Sequence, residues 1–336
     1  MTELHSILTD RHYQSWPSWQ IVYEWEDELS FLLHIPLRNT PSLPSNLVYS
    51  TFKRFDNRFF KGYMEYITRP RKKSESGLSL YFEMHMKPYR CFSNEASIIP
   101  VLIDFWLPDN IKVLKKMYAH CPYLLVTNLE VLHFLKEHQF RNKLVHFPMT
   151  LPSRYQLNGD EVFDKKYDIV VAGRKNSILW DYLLRYEKQH PDIEYLHQVE
   201  QNGELFYRSN QTGIVGKFQS REEYIELIRS AKVAFYATPG MDEGAARTAG
   251  FNPVTPRFFE LLGAGCHVLA RYPDTVETRF YTMKEISPAI MSYEQFEEAL
   301  TDSLRSEVPV AKNAVYLKSH YTYTLVDILN QIINKG

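Results

Sequence analysis

Arg257 and Glu260 stand three residues apart where a loop containing two prolines runs into a short apolar helix. The stretch reads Val254-Thr-Pro-Arg-Phe-Phe-Glu-Leu-Leu-Gly-Ala-Gly-Cys-His-Val-Leu-Ala270. Gly265 is the expected helix stop, and a buried-type strand follows it at once. A helix N-terminus carries unpaired N–H groups and the positive end of the dipole, so it suits a phosphate or another anion. A carboxylate one turn in accepts hydrogen bonds from a hydroxyl pair such as a ribose diol. Loop, helix start, Arg and Glu together have the chemistry of half a nucleotide site.

Other candidate residues fall where an open parallel sheet binds ligands, beyond the carboxyl ends of its strands. After a predicted strand at 167–172 comes the tight turn Gly173-Arg174-Lys175-Asn176, with two cations. After a strand at 212–216 comes Lys217-Phe218. After a strand at 231–237 comes the long loop Thr238–Pro256, which carries Asp242 and Glu243 and delivers Arg257 and Glu260. Loops of that length inside compact domains are usually functional or mobile. Singly, each feature has a structural explanation: a solvated turn, an acid favoured in the first helical turn, a glycine stop. Jointly, at one sheet edge, a ligand site explains them better.

The elements that must position these residues are legible as apolar runs. Downstream of residue 165, strands at 167–172, 193–198, 212–216, 231–237 and 266–270 alternate with helical patterns, which predicts a parallel α/β sheet with helices on both faces. Ser220 and Glu223 form a capping box before Tyr224, Leu227 and Ile228. Upstream, Ser30–Ile35, Leu78–Met86, Ile98–Phe105, Tyr123–Thr127 and Lys143–Phe147 read as strands, with a helix over Leu129–His138. The first 25 residues, which include Trp16, Trp19 and Trp25, fit no pattern. The proline-rich, aperiodic stretch Phe147–Asp160 marks a boundary. The expected division is 1–155, 156–318 and a closing amphipathic helix within 319–336.

With 336 residues the chain is long enough for two domains. Its 44% hydrophobic and 24% charged content is that of an ordinary globular protein, and a net charge of −1 creates no global pull toward nucleic acid or membrane. Cys91, Cys121 and Cys266 are few, odd in number and in no metal spacing, which points to a reducing compartment. The start Met-Thr-Glu-Leu-His lacks the basic flank and apolar core of a signal peptide, and no apolar run approaches a membrane span. A cytoplasmic protein is the expectation. The absence of a P-loop, G-x-G-x-x-G, H-E-x-x-H or G-x-S-x-G motif argues against kinases, Rossmann dehydrogenases, zincins and α/β-hydrolases, and the absence of any D-x-D argues against a bound divalent metal.

Three stretches of the second half resemble the donor-binding domain of GT-B-fold glycosyltransferases, closest to the retaining family 4 type. They are Tyr167–Lys175, Gly216–Pro239 and Arg257–Leu269, in the family's order and spacing over roughly 165–335. His320-Tyr-Thr-Tyr323 and the final helix resemble the family's closing segment, which crosses back onto the N-terminal domain. The resemblance implies two Rossmann-like parallel-sheet domains facing a cleft. It implies metal-independent transfer of a sugar from a nucleotide-sugar, UDP- or GDP-linked, to a hydroxyl acceptor, with no other cofactor. Glu260 would bind the ribose, Arg174 and Lys175 would neutralise the diphosphate, and the N–H groups around Val254 and Thr255 would cradle it. Lys217 and Phe218 would lie near the base. Such chemistry is mostly stabilisation of the leaving group.

The chain departs from the family at several positions: its Gly-Phe-Gly loop reads Gly250-Phe-Asn-Pro253, and the family's second phosphate-binding lysine past Arg174 has no counterpart unless Lys175 takes its place. A family glutamate eight residues before Glu260 is Asn252 here, and Arg257 stands where the family has proline; we expect Arg257 to supplement the diphosphate clamp. Asp242 or Glu243 is the alternative carboxylate facing the sugar. On the acceptor side, His85 and Asp104 stand at the ends of predicted strands and are the candidate general bases, with Asn128-Leu-Glu130 a third edge. Residues 51–73 combine Phe52, Phe55, Phe59, Tyr63 and Tyr66 on one helical face with eight Lys/Arg against Asp56 and Glu65. That composition suits peripheral contact with an anionic membrane and a lipid-linked or glycan acceptor, as in bacterial surface polysaccharide assembly; core packing of the aromatics is the structural alternative. No nucleic-acid partner is expected. The rival functions are a nucleotide-sugar epimerase or hydrolase on the same fold, and a catalytically silent scaffold that binds a glycan or partner.

Overall fold

Buried strands organise both halves of the chain. The computed structural model describes residues 3–12, 17–40, 77–84, 97–104, 111–119, 121–217 and 220–334. They divide into two units: 1–127, 132–147 and 326–336 form the first, and 128–131 with 148–325 the second. The change of unit at Phe147/Pro148 falls at the start of the proline-rich stretch.

The first unit holds a parallel six-stranded sheet. Its strands are β1 (Leu4–Thr9), β2 (Leu37–Asn39), β3 (Leu78–Glu83), β4 (Ile98–Leu102), β5 (Tyr123–Val126) and β6 (Lys143–His146), in the order β2-β1-β3-β4-β5-β6. Every residue of β3, β4 and β5 is buried, as strands covered on both faces require. The predicted strand at Ser30–Ile35 is wrong. Residues Pro17–Leu33 form helix α1, because Trp19, Val22, Trp25, Glu26 and Leu29 recur at helical spacing and are all buried. The apolar run that imitated a strand includes Phe31, which is 76% exposed. Helices α2 (Ile111–Met117) and α3 (Leu129–Glu137) follow.

The second unit holds β7 (Tyr167–Val171), β8 (Tyr195–Gln201), β9 (Glu204–Ser209), β10 (Gly213–Lys217), β11 (Ala231–Ala237) and β12 (His267–Arg271), ordered β10-β9-β8-β7-β11-β12. The strands β8, β7, β11 and β12 are parallel, as expected. The strand β9 was not anticipated, and with β10 it makes an antiparallel edge. Asn202-Gly203 causes this: both residues have positive φ, 54° and 78°, the backbone a type I′ hairpin turn demands. The chain therefore doubles back instead of crossing over through a helix.

Helices α4 (Ser177–Gln189), α5 (Arg221–Arg229), α6 (Ala245–Thr248), α7 (Pro256–Gly263), α8 (Val276–Phe280), α9 (Met283–Ile286), α10 (Tyr293–Arg305) and α11 (Val310–Leu317) complete this unit. Ile169, Leu183, Val233, Phe296 and Leu300 are fully buried in one cluster joining β7 and β11 to α4 and α10. Each such side chain stabilises the fold by roughly 1.5–3 kcal/mol. The amphipathic closing helix is α12 (Leu325–Asn334). From Val326 onward it counts with the first unit, where the Tyr123 hydroxyl donates to the Ile332 carbonyl at 3.3 Å.

The turn at Gly203 generates a direct test. A Cβ there would meet nothing within 4 Å, so Gly203→Ala should cost only the left-handed backbone penalty, about 1–2 kcal/mol. Urea denaturation should show that loss; an unchanged midpoint would contradict the positive-φ hairpin.

Candidate functional site

Helix α7 is buried along most of its length: Phe258 through Gly263 are all buried. Pro256 occupies its first turn, where the missing N–H costs nothing. The half-buried Arg257 projects from that turn onto the loop after β7. A Cβ at Gly173 would lie 2.3 Å from Arg257 Nη2 and 2.6 Å from Cζ, and Gly173 has φ +70°. The left-handed backbone favours glycine, and with no Cβ at 173 the guanidinium can lie on the turn, so the Gly173 turn and the α7 N-terminus, predicted separately, are one structure. Among the described residues no hydrogen bond or ion pair engages the Arg257 guanidinium.

Glu260, one turn further, is 6% exposed. Arg221 Nη2 donates to its Oε1 at 2.6 Å and the Tyr224 hydroxyl to its Oε2 at 3.0 Å. The predicted capping box of Ser220 and Glu223 is present and starts α5, which sets Arg221 and Tyr224 three residues apart on the face toward α7. Arg221 and Tyr224 were not predicted as site residues. Their spacing is the available signal, but nothing local says which carboxylate they face. Each Glu260 oxygen keeps a second lone pair.

The two amides expected to cradle an anion have protein acceptors instead. The Thr255 N–H donates to the Tyr236 hydroxyl at 2.9 Å, and the Val254 N–H to Glu277 Oε1 at 3.4 Å. Glu277, fully buried, also accepts from the Leu129 N–H at 2.7 Å. Burial raises its carboxyl to about 8, against the opposing effect of those two hydrogen bonds.

The long loop 238–256 is tied down by side chains. Asp242 makes a two-point ion pair with Arg271, at 2.7 and 2.8 Å, and accepts from Asn176 Nδ2 at 2.8 Å. The Arg271 hydrogen bonds hold the Asp242 carboxyl below its ordinary range. Glu243, expected to face a sugar, accepts from the Ser177 N–H and Oγ at 3.1 and 2.7 Å. Its carboxylate is thus committed to the first turn of α4, where the helix dipole favours it. The Asn252 side chain accepts from Thr238 Oγ1 and donates to the Gly250 carbonyl, both at 2.8 Å. Its N–H donates to Glu130 Oε2 at 2.7 Å. The Asn128–Glu130 edge, expected on the acceptor side, braces this loop.

The remaining predicted residues are more dispersed. Arg174 is exposed. The Lys175 ammonium lies 3.9 Å from the Trp180 ring centroid, a cation–π contact, and burial lowers its pKa. Lys217 pairs with Glu204 across the β9–β10 edge at 2.5 Å, both partly exposed, a contact of small energy. Asp104 is half-buried just past β4 in the first unit. His85, Phe218 and the basic aromatic stretch 51–73 lie outside the described residues.

Two groups escaped the sequence. At the carboxyl end of β1, Asp10 accepts from Thr40 Oγ1 at 2.6 Å and the Tyr81 hydroxyl at 3.2 Å. Beside it Thr9 Oγ1 donates to Glu26 at 2.6 Å, and burial raises the Glu26 carboxyl to about 8 despite that bond and Arg11. The second is Tyr207 on β9, 2% exposed, whose hydroxyl is buried with no hydrogen-bond partner. An unmade bond of this kind costs about 1–3 kcal/mol. Among the described residues no three His, Cys, Asp or Glu side chains group as a metal site requires, and no helix is long and apolar enough to cross a membrane.

No family model and no curated protein matches the chain; solved structures do. Sucrose-phosphate synthase from Thermosynechococcus elongatus aligns over 99% of this chain and 100% of its own, with a TM-score of 0.57 and 11% identity. The pneumococcal O-GlcNAc transferase GtfA, in complex with UDP and GlcNAc, matches at TM-score 0.46 and 11% identity over 82% of this chain. S. aureus MnaA bound to UDP matches at 0.45 and 10%, over 98% of this chain and 96% of its own. The chain spans 59% of that GtfA chain and 57% of a chain in a GtfA/B complex. Two Rossmann-like parallel-sheet units, with the full-length match to sucrose-phosphate synthase, define the fold as GT-B.

The Arg221–Glu260 pair can be tested by a double-mutant cycle. Arg221→Met should cost about 3–5 kcal/mol by leaving a buried carboxylate uncompensated, and Arg221→Met with Glu260→Gln should recover much of that loss. Additive losses in urea denaturation would show that the two residues are uncoupled.

Proposed function

We propose that the chain is a metal-independent glycosyltransferase that moves a sugar from a UDP- or GDP-linked donor to a hydroxyl acceptor. The observation that carries this reading is the unpaired Arg257 guanidinium laid on Gly173 at the carboxyl edge of the second sheet, one helical turn from the fixed carboxylate of Glu260. A GT-B fold supports it. A cation without a counter-ion stabilises the charge that develops on a departing diphosphate, and a group already in place needs no reorganisation as the bond breaks. Glu260, held by Arg221 and Tyr224, offers its remaining lone pairs to a ribose diol.

Arg174 and Lys175 assist at the diphosphate in this reading, and Lys217 and Phe218 stand on the base side. His85 and Asp104 are the proposed acceptor-side groups. The acceptor is a glycan or lipid-linked sugar of a bacterial surface polymer, with 51–73 as the proposed contact to anionic lipid in a cytoplasmic, peripheral protein. Asn252 is neutral and spent within its own loop, so it supplies no carboxylate to the sugar. Retention of anomeric configuration therefore rests on the family resemblance alone.

Thermal-shift binding across UDP-, GDP-, ADP- and CMP-sugars, then nucleotide release with and without candidate acceptors, tests the proposal. One donor class should bind, release should depend on acceptor, and EDTA should not abolish it. Arg257→Ala should weaken donor binding about tenfold or more, the worth of a charge-assisted hydrogen bond. Isomerised donor would indicate an epimerase instead, and no binding of any nucleotide-sugar would refute the reading.

A further inference from the structure

The amino end of the second sheet carries a cavity that the site at its carboxyl end does not use. The strand β12 is the outermost of that sheet, and the segment after α9 runs along its free side. There the Ile290 N–H donates to the Ala270 carbonyl at 2.8 Å, and the Ser287 hydroxyl donates to the Val268 carbonyl. Pinned at Val268 and Ala270, this cover leaves the His267 end of the strand open. A cavity of about 190 Å³ lies there, between β12, α9, α10 and α11. From His267 to Arg271, which pairs with Asp242 at the carboxyl edge, the strand rises roughly 13 Å. Leu262, Val268, Ile286, Ile290 and Pro309 give the cavity an aliphatic wall. Pro288 and Lys312 are exposed, whereas Leu262, Ser287 and Asn313 are buried, so it reaches from the surface inward.

The polar lining holds unused capacity of both kinds. Asn313, 1% exposed, donates through Nδ2 to the Leu262 and Cys266 carbonyls, both at 3.1 Å, which leaves Oδ1 to accept. The His267 ring meets the Glu307 carbonyl through Nε2 at 2.9 Å. A carbonyl only accepts, so Nε2 carries the proton and Nδ1 is a bare acceptor. Burial lowers the ring's pKa and favours that neutral form. Among the described residues no hydrogen bond or ion pair engages Asn313 Oδ1, the Ser303 hydroxyl or the Lys312 ammonium. A cavity of about 150 Å³ holds benzene, so this one has room for a single six-membered ring with substituents. A hydrocarbon ring would strand every polar group. An aromatic acid would match Lys312 but leave Asn313 and His267 without a donor. Hydroxyls donate and accept alike, and a pyranose turns C–H faces to an aliphatic wall. We infer that this cavity is a binding site for one monosaccharide, with Asn313 Oδ1 and His267 Nδ1 accepting from its hydroxyls and Ser303 and Lys312 donating to them. The site is separate from the nucleotide-sugar reading and does not depend on it.

Methyl NMR of the full chain, with the Ile286 and Ile290 resonances assigned, reads the cavity directly. Titration with glucose, galactose and mannose should shift both methyls saturably for at least one sugar. A Kd of roughly 1 mM is expected for a ligand of about a dozen non-hydrogen atoms. Benzoate and benzene should shift neither methyl over the same range. Ser303→Leu fills the cavity at the cost of a hydroxyl that bonds to nothing, and should weaken the sugar about tenfold or more. Lys312→Met, an exposed change, should keep the melting temperature and weaken the sugar about threefold. Arg257→Ala should leave sugar binding unchanged. Silence of Ile286 and Ile290 toward every sugar overturns the site, as does benzoate or benzene binding as tightly as the best sugar. Both cavity variants binding like wild type, or sugar binding that falls with Arg257→Ala, also overturn it. Sugar binding at these methyls in a protein that binds no nucleotide-sugar would refute the nucleotide reading alone.

Discussion

A carboxylate on a helix buried along most of its length has to find its counter-charge inside the protein, and Glu260 finds it in Arg221. Desolvating both ions is expensive and is offset only by close geometry and further hydrogen bonds, here a 2.6 Å contact and the Tyr224 hydroxyl. The pair ties α7 to α5 across the carboxyl edge of the second sheet. With α7 held in pitch and rotation, Arg257, nearly one turn earlier, is directed onto Gly173. Arg257 can rest there only because residue 173 has no Cβ.

The other carboxylates of this edge do different work from Glu260. Asp242 closes on Arg271, Glu243 on Ser177, and Glu277 on the amides of Leu129 and Val254. Each binds one end of the long loop to a strand or helix terminus, so the loop that delivers α7 is braced along its length. Committing these acids to structure leaves the positive charge of Arg257 unopposed. A site that must receive an anion is well served by that division of roles.

Much of the second unit was legible because its signals are local. Apolar runs placed β7, β8, β10, β11 and β12 to within a few residues, and Ser220 with Glu223 announced α5. Failures came where the deciding partner is distant in sequence. Nothing near Glu260 identifies Arg221, 39 residues away. Glu243 looked catalytic because its loop is long, and only the fold shows Ser177 beneath it. Two elements that differ from the expectation carry local signals of their own. Asn202-Gly203 is a strong hairpin dipeptide, and the 3–4 spacing of Trp19, Val22, Trp25 and Leu29 marks a helix that the apolar run Phe31–Ile35 disguised as a strand.

The central claim is that the Arg257 end of α7 receives the diphosphate of a nucleotide. X-ray diffraction from crystals grown with UDP or GDP tests it most directly. The account predicts diphosphate density against the Arg257 guanidinium and the Gly173 turn, with the ribose toward Glu260. A nucleotide seated elsewhere on the chain, with Arg257 still unpaired, would contradict it.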